Sequence, residues 1–207
     1  MVEGDCDPEK VANTPLGVSY VSIASENGEI GYGTKLVLRN GTFKRLLQGR
    51  IKDGDKLDGY GKMFYNMEKT KYYVGEWVDG KRQGRGVFHG PGYHYTGEFV
   101  NDWMSGFGKI TWPDGAYYEG QLKKHKFSGS GKYVDADGNK YVGAYSDHMR
   151  NGRGTYKEIN GDIYVGTWKD GKKLTGILTR TKYNNCIVKY KDGDIDDDPS
   201  SLYCLKT

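Results

Sequence analysis

The chain has 207 residues, 32 of them Gly and 18 Tyr, and only 36% are hydrophobic; such a composition excludes a thick aliphatic core and points to a thin body. Its formal net charge of +4 is unevenly spread, with −3 over residues 1–42, +11 over 43–191 and −4 over 192–207, so a basic body with acidic ends is set to attract acidic partners or polyanions. No run approaches the roughly 18 apolar residues of a spanning helix, and Cys6, Cys186 and Cys204 fit no metal spacing, which leads us to expect a reducing, cytoplasmic setting.

Residues 1–30 are expected to form an acidic N-terminal cap, in which Asp7-Pro8-Glu9 has the form of a helix start. Asn40-Gly41-Thr42 reads as a turn rather than a glycosylation site. A repeat then emerges gradually. Gly31-Tyr-Gly33 is a bare second half, and Leu47-Gln-Gly49-Arg-Ile51 to Gly59-Tyr-Gly61 is a degenerate copy.

Regular copies follow: Tyr73-Val-Gly75-Glu-Trp77, Tyr95-Thr-Gly97-Glu-Phe99, Tyr118-Glu-Gly120-Gln-Leu122, Tyr141-Val-Gly143-Ala-Tyr145 and Tyr164-Val-Gly166-Thr-Trp168. The first four carry a Gly-x-Gly in register, at Gly84 and Gly86, Gly106 and Gly108, Gly129 and Gly131, and Gly152 and Gly154; the fifth keeps only Gly176. Successive copies start 22 or 23 residues apart, a period that marks a stacked repeat array. We place that array at residues 31–183.

Side chains alternate across a strand, so Tyr73, Gly75 and Trp77 share one face while Val74 and Glu76 share the other. The same parity aligns Gly84, Gly86 and Phe88 in the second half. A ring can therefore lie over the bare backbone of a glycine on a neighbouring strand. The opposite face, with Glu76, Thr96, Glu98, Glu119 and Gln121, reads as the wetter one. Turns fall at Asp79-Gly80, Asn101-Asp102 and Asp170-Gly171 within copies, and at Pro113-Asp114-Gly115, Asp137-Gly138 and Asn160-Gly161 between them. One repeat is thus one hairpin, and each advances the sheet by about 10 Å.

Residues 184–207 are expected to supply Ile187-Val-Lys-Tyr190 as a last strand. Asp198-Pro199 then offers a start for a short capping helix carrying Leu202, Tyr203 and Leu205, with a free acidic tail as the alternative.

These residues resemble the MORN (membrane occupation and recognition nexus) repeat, whose Tyr-x-Gly-x-Trp, turn glycine and Gly-x-Gly are matched nearly in full from Tyr73 to Gly86. Departures are Leu47 for the leading aromatic and Leu122 at the second aromatic position. The resemblance implies an all-β fold, an elongated single-layer antiparallel sheet of stacked hairpins. It also implies a scaffold, found in the family at membranes, cytoskeletal structures or flagella, with grooves for partner peptides.

Reactive chemistry is sparse. Gly75 to Arg82 and Gly166 to Lys173 come within one residue of a phosphate-binding loop, yet each lacks the closing Ser or Thr and a following helix pattern. His89, His94, His125 and His148 have no companions that would complete a metal set and read as turn histidines. Asp192-x-Asp194-x-Asp196 opens like a calcium loop, but Asp197 stands where glycine is needed. We therefore expect no catalytic residues, no metal and no cofactor, with an enzyme site in the groove as the weakest reading.

Two surfaces remain as candidates. The first is an aromatic groove of Tyr73, Trp77, Tyr95, Phe99, Trp103, Trp112, Tyr118, Tyr141, Tyr145 and Trp168, suited to anchoring a protein segment; among these, Trp77, Phe99, Trp103 and Trp112 are expected to face outward. The second is a basic turn edge of Lys81, Arg82, Arg85, Lys123, Lys124, Lys126, Arg150, Arg153, Lys172 and Lys173, suited to anionic lipid. Nucleic acid is the poorer fit to both. Pairing of exposed ends into a homodimer stays open.

Overall fold

A computed structural model describes residues 31–39, 42–181, 186–195 and 202–203; the cap expected at Asp7-Pro8-Glu9 lies outside them. The chain divides into two units, Met1–Pro91 and Gly92–Thr207, and the described parts of both are antiparallel β-hairpins. In the first, β1 (Gly31–Arg39), β2 (Thr42–Lys52), β3 (Lys56–Phe64), β4 (Tyr72–Val78) and β5 (Lys81–His89) pair in chain order. In the second, the same order holds for β6 (His94–Val100), β7 (Trp103–Thr111), β8 (Tyr117–Lys123), β9 (Lys126–Val134) and β10 (Lys140–Ser146). It continues through β11 (Met149–Lys157), β12 (Ile163–Lys169), β13 (Lys172–Arg180), β14 (Cys186–Lys191) and β15 (Asp194–Ile195).

Register explains the repeat. Gly33, Gly49, Gly61, Gly75 and Gly86 are successive cross-strand partners in the first unit. Gly97, Gly108, Gly120, Gly131, Gly143, Gly154, Gly166 and Gly176 are so in the second, where Tyr190 of β14 ends the row. Each leading tyrosine lies over two of these glycines: a Cβ at Gly97 or Gly108 would run into the Tyr95 ring, and one at Gly143 or Gly154 into Tyr141. The glycine row is a channel in which the rings are seated. Tyr73, Tyr95, Tyr118 and Tyr164 are fully buried as a result.

A bulge follows the first glycine of four successive hairpins, between Gly75 and Trp77, Gly97 and Phe99, Gly120 and Leu122, and Gly143 and Tyr145, where the register shifts by two with the extra residues on the second strand. The carbonyl of the residue after that glycine accepts the tyrosine hydroxyl: Tyr95 donates to Glu98 at 2.9 Å and Tyr141 to Ala144 at 3.0 Å. The second aromatic then packs edge-on against the first, with centroids 4.9 Å apart for Tyr73 and Trp77 and 5.2 Å for Tyr164 and Trp168. Such pairs contribute about 0.5–1.5 kcal/mol beyond their burial.

The hairpin turns are two-residue loops with both φ positive, as the primed turns matched to strand twist require. Asp79-Gly80, Asn101-Asp102 and Asp170-Gly171 take this form, and so do Lys124-His125 and Asp147-His148, which contain no glycine. Turns also tie hairpin to hairpin. His125 N–H donates to Met104 O at 2.9 Å, His148 N–H to Phe127 O at 3.1 Å and Gly171 N–H to Arg150 O at 3.0 Å.

Leu202 and Tyr203 form a short strand, β16, paired with Val188 and Ile187 of β14, so this segment is not a capping helix; an open strand edge offers more backbone hydrogen bonds than an isolated turn of helix. Asp192-Gly193 is the turn joining β14 to β15 rather than the start of an ion loop. Cys186 is disulfide-bonded, a pairing that an odd cysteine count gave no way to assign.

The face opposite the rings is open to solvent, yet it is not uniformly polar. In the second unit Val142, Thr155, Val165 and Ile177 are successive cross-strand partners, and the three aliphatic ones are 45–54% exposed. Elsewhere on that face the residues opposite the bulges clamp the backbone, with Glu76, Glu98 and Gln121 side chains accepting the N–H of Arg85, Phe107 and Ser130.

Candidate binding groove

The ring face of the second unit contains a cavity of about 820 Å³, within the range that holds ligand groups. Its residues come from two structural positions repeated on β7, β9 and β11. Second in each of these strands stand Met104, Phe127 and Arg150; two places after the second glycine stand Ile110, Tyr133 and Tyr156. All six line the groove, joined by Trp112, Tyr93, Met149 and Asp135, with Tyr141 and Tyr145 between the two rows.

The turn-side wall is tied to the backbone by hydrogen bonds. His125 Nδ1 accepts Met104 N–H at 3.1 Å and His148 Nδ1 accepts Phe127 N–H at 3.4 Å, which fixes each imidazole as a backbone acceptor. Their rings pack on Trp103 at 4.9 Å and on Phe127 at 4.8 Å. Arg150 Nη2 donates to Gly171 O at 2.9 Å. Its guanidinium lies over the rings of Trp168, Tyr156 and Tyr141 at 4.1, 5.4 and 5.6 Å, a cation–π seat.

One repeat further on, Lys173 stands at the position of Arg150, its ammonium over Tyr164, Tyr190 and Tyr156 at 5.1, 5.4 and 5.7 Å. Burial lowers the pKa of this amine. Burial likewise raises phenols of this face: Tyr141 is pushed up to about 12, held back in part by Arg150, and Tyr156 is raised, with Glu158 adding to the effect. Across the groove, the Asp135 carboxylate is engaged by Asn139, accepting its backbone N–H at 2.8 Å and its side-chain amide at 2.9 Å.

The structure sorts the residues expected in the groove. Tyr141, Tyr145 and Trp112 line it. Trp77 and Phe99, expected to face outward, are buried at 2% and 1% exposure; Trp77 donates to Gly61 O at 3.0 Å, and Phe99 packs on Tyr95. Tyr73, Tyr95, Tyr118 and Trp168 are buried as well, spent on the sheet. Trp103 is 46% exposed. Met104, Ile110, Phe127, Tyr133 and Tyr156 were not picked out from sequence, although their parity places them on the ring face.

The expected basic edge also divides. Arg82, Arg150 and Lys173 turn onto rings of the buried face. Lys81, Arg85, Lys123, Lys124, Lys126, Arg153 and Lys172 are exposed, but they alternate with the turn carboxylates Asp79, Asp102, Asp147 and Asp170. Lys126 pairs with Asp147 at 2.9 Å. The edge is thus a mixed rather than a uniformly cationic row. Among the described residues no group of three His, Cys, Asp or Glu is placed to hold a metal.

The family model described as MORN repeat matches residues 73–94, 95–117, 118–140, 141–163 and 164–173. Comparison with curated proteins gives no significant match. The seated tyrosines are shared by all five matched segments, the bulge after the first glycine by the first four, and the glycine row reaches upstream of them to Gly33. Through residues 73–173 this chain belongs to the MORN repeat family.

Proposed function

We propose that the chain is a non-catalytic scaffold that holds a protein segment in the groove of its second unit. The observation that supports this reading is the contrast between the seated tyrosines and the second ring set. Tyr95, Tyr118 and Tyr164 are fully buried by the sheet, whereas Trp112, Tyr133 and Tyr156 keep part of their surface toward the cavity. Rigid aromatics in a preformed concavity are effective anchors, since little side-chain entropy is lost on binding. The lipid reading of the turn edge draws less support from its interleaved carboxylates, because anionic headgroups would meet both signs of charge.

The test is affinity capture with the intact chain and with a Trp112→Ala, Tyr133→Ala variant. Partners held by the wild type and by an Ile159→Ala control, but lost by the groove variant, are the expected result. Retention of every partner by the groove variant overturns the proposal.

A further inference from the structure

We propose that the groove selects an apolar segment bearing two carboxylates about 10 Å apart, which seat against Arg150 and Lys173. This inference rests on the groove being a protein-binding site. The groove is graded along its length: the repeated wall position is Met104, then Phe127, then Arg150, and Lys173 takes the same strand position in the next hairpin, just past the cavity lining and over the shared Tyr156 ring. At this position the first half is apolar, while the second half and the hairpin beyond it present cations.

Neither cation forms an ion pair among the described residues. Arg150 spends one N–H on Gly171 O and faces rings otherwise, and Lys173 lies over rings, feeling the Glu158 and Asp162 carboxylates without pairing to either. Asp135, the carboxylate that lines the groove, is engaged by Asn139. Two half-buried cations without a paired carboxylate form a site whose charge a ligand would complete. The rings fix both in place, so a carboxylate would meet them already oriented.

Spacing sharpens the specificity. Equivalent positions of successive hairpins lie two strands apart, about 10 Å. Carboxylates three residues apart in an extended segment, or seven apart in a helix, span that distance. A free phosphate or a small organic acid would satisfy one cation and leave the Met104–Phe127 wall uncovered. An acidic amphipathic peptide covers both.

The experiment selects short random displayed peptides on the intact wild-type chain, discarding those that also bind the Trp112→Ala, Tyr133→Ala variant. The retained peptides are then measured with a fluorescent label. Expected are sequences joining Leu, Phe or Trp to paired Asp or Glu, whose affinity falls at least about tenfold on Lys173→Glu. Lys173→Met, which keeps the apolar stem, should weaken them too, and acid-to-Lys versions should regain binding on the Lys173→Glu chain. Unchanged thermal unfolding shows that the variants are folded.

Retained peptides that are neutral or basic, or indifferent to both Lys173 variants, overturn the charge inference while leaving the groove reading intact. If no peptide survives the discard step, both fall. Phosphatidylserine vesicles serve as the competing arm: binding of vesicles through Lys173, with no peptide enriched, assigns the cations to lipid and overturns the proposal.

Discussion

The Tyr118 hydroxyl donates to the carbonyl of Gln121 at 2.7 Å, three residues along the same strand, while its ring lies over Gly120 and Gly131. The bond holds the ring flat, and the flat ring needs both glycines. Tyr118→Phe removes only the bond and should cost about 0.5–1.5 kcal/mol. Tyr118→Ala also removes the ring and should cost about 3–5 kcal/mol, the range for deleting a buried aromatic. Urea unfolding of the two variants checks the ratio; equal losses would mean that the hydroxyl, not the ring, dominates.

The glycines divide into those that seat a ring and those that do not. A Cβ at Gly108 would fall among the Tyr95 ring atoms, so Gly108→Ala should displace the ring and unfold the chain at lower urea by more than about 3 kcal/mol. Gly92 has open space around its Cβ position and no positive φ. Gly92→Ala should be neutral or stabilising by up to about 1 kcal/mol, through loss of unfolded-state freedom.

Much of this was readable from the sequence because a period of two is short-range. Once Tyr118 and Gly120 are on a strand, their shared face follows, and the 23-residue step from Tyr118 to Tyr141 places the next hairpin. Depth was not readable. Trp77 and Trp112 have the correct parity for the ring face, yet Trp77 is buried beside Tyr73 and Trp112 borders the cavity. The distinction depends on how far each position lies from the seated tyrosine, not on residue type. The groove wall was hidden for a related reason: Met104, Phe127 and Arg150 occupy one structural position with unrelated chemistry, so no motif records it. The pairing of Leu202 with Val188 is non-local, and its local sequence imitated a helix start.

Alkaline pH should loosen the fold. Burial pushes Tyr118 and Tyr141 up to about 12 and raises Tyr73, Tyr95 and Tyr145 as well, while an unfolded tyrosine titrates near about 10. Below that pH both states keep their phenol protons and stability is unaffected. Between about 10 and 12 the unfolded chain releases protons that the folded chain retains, so stability falls as pH rises. The urea midpoint should drop between pH 8 and pH 11, with tyrosinate absorbance appearing together with unfolding. Tyrosinate formation in a chain that stays folded would contradict this.

The exposed pair Lys126–Asp147 links neighbouring hairpins at 2.9 Å, and the lysine holds the Asp147 carboxyl below its ordinary value. Both side chains are more than half exposed, where such pairs contribute about 0–1 kcal/mol and are screened by salt. Lys126→Ala should shift the urea midpoint little, and less still at high salt. A large loss would assign Lys126 a packing role that its exposure does not suggest.

The β10–β11 hairpin lacks a contact that the three hairpins before it have, and restoring it should stabilise the chain. Glu76, Glu98 and Gln121 each reach from the bulge to accept the N–H nine residues on, at Arg85, Phe107 and Ser130, over 2.9, 3.1 and 2.9 Å. Ala144 occupies the same bulge position, and the residue nine on is Arg153. Ala144→Gln places an acceptor where the other three hairpins have one, and the neutral amide adds no charge. The expected gain is about 0.5–1.5 kcal/mol, read as a higher urea midpoint with an unchanged slope. The converse variant, Gln121→Ala, should lose a similar amount. If Ala144→Gln is neutral while Gln121→Ala is costly, the Gly152 backbone beside Ala144, whose Cβ position already lies 3.1 Å from the Ala144 methyl, has no room for the longer side chain.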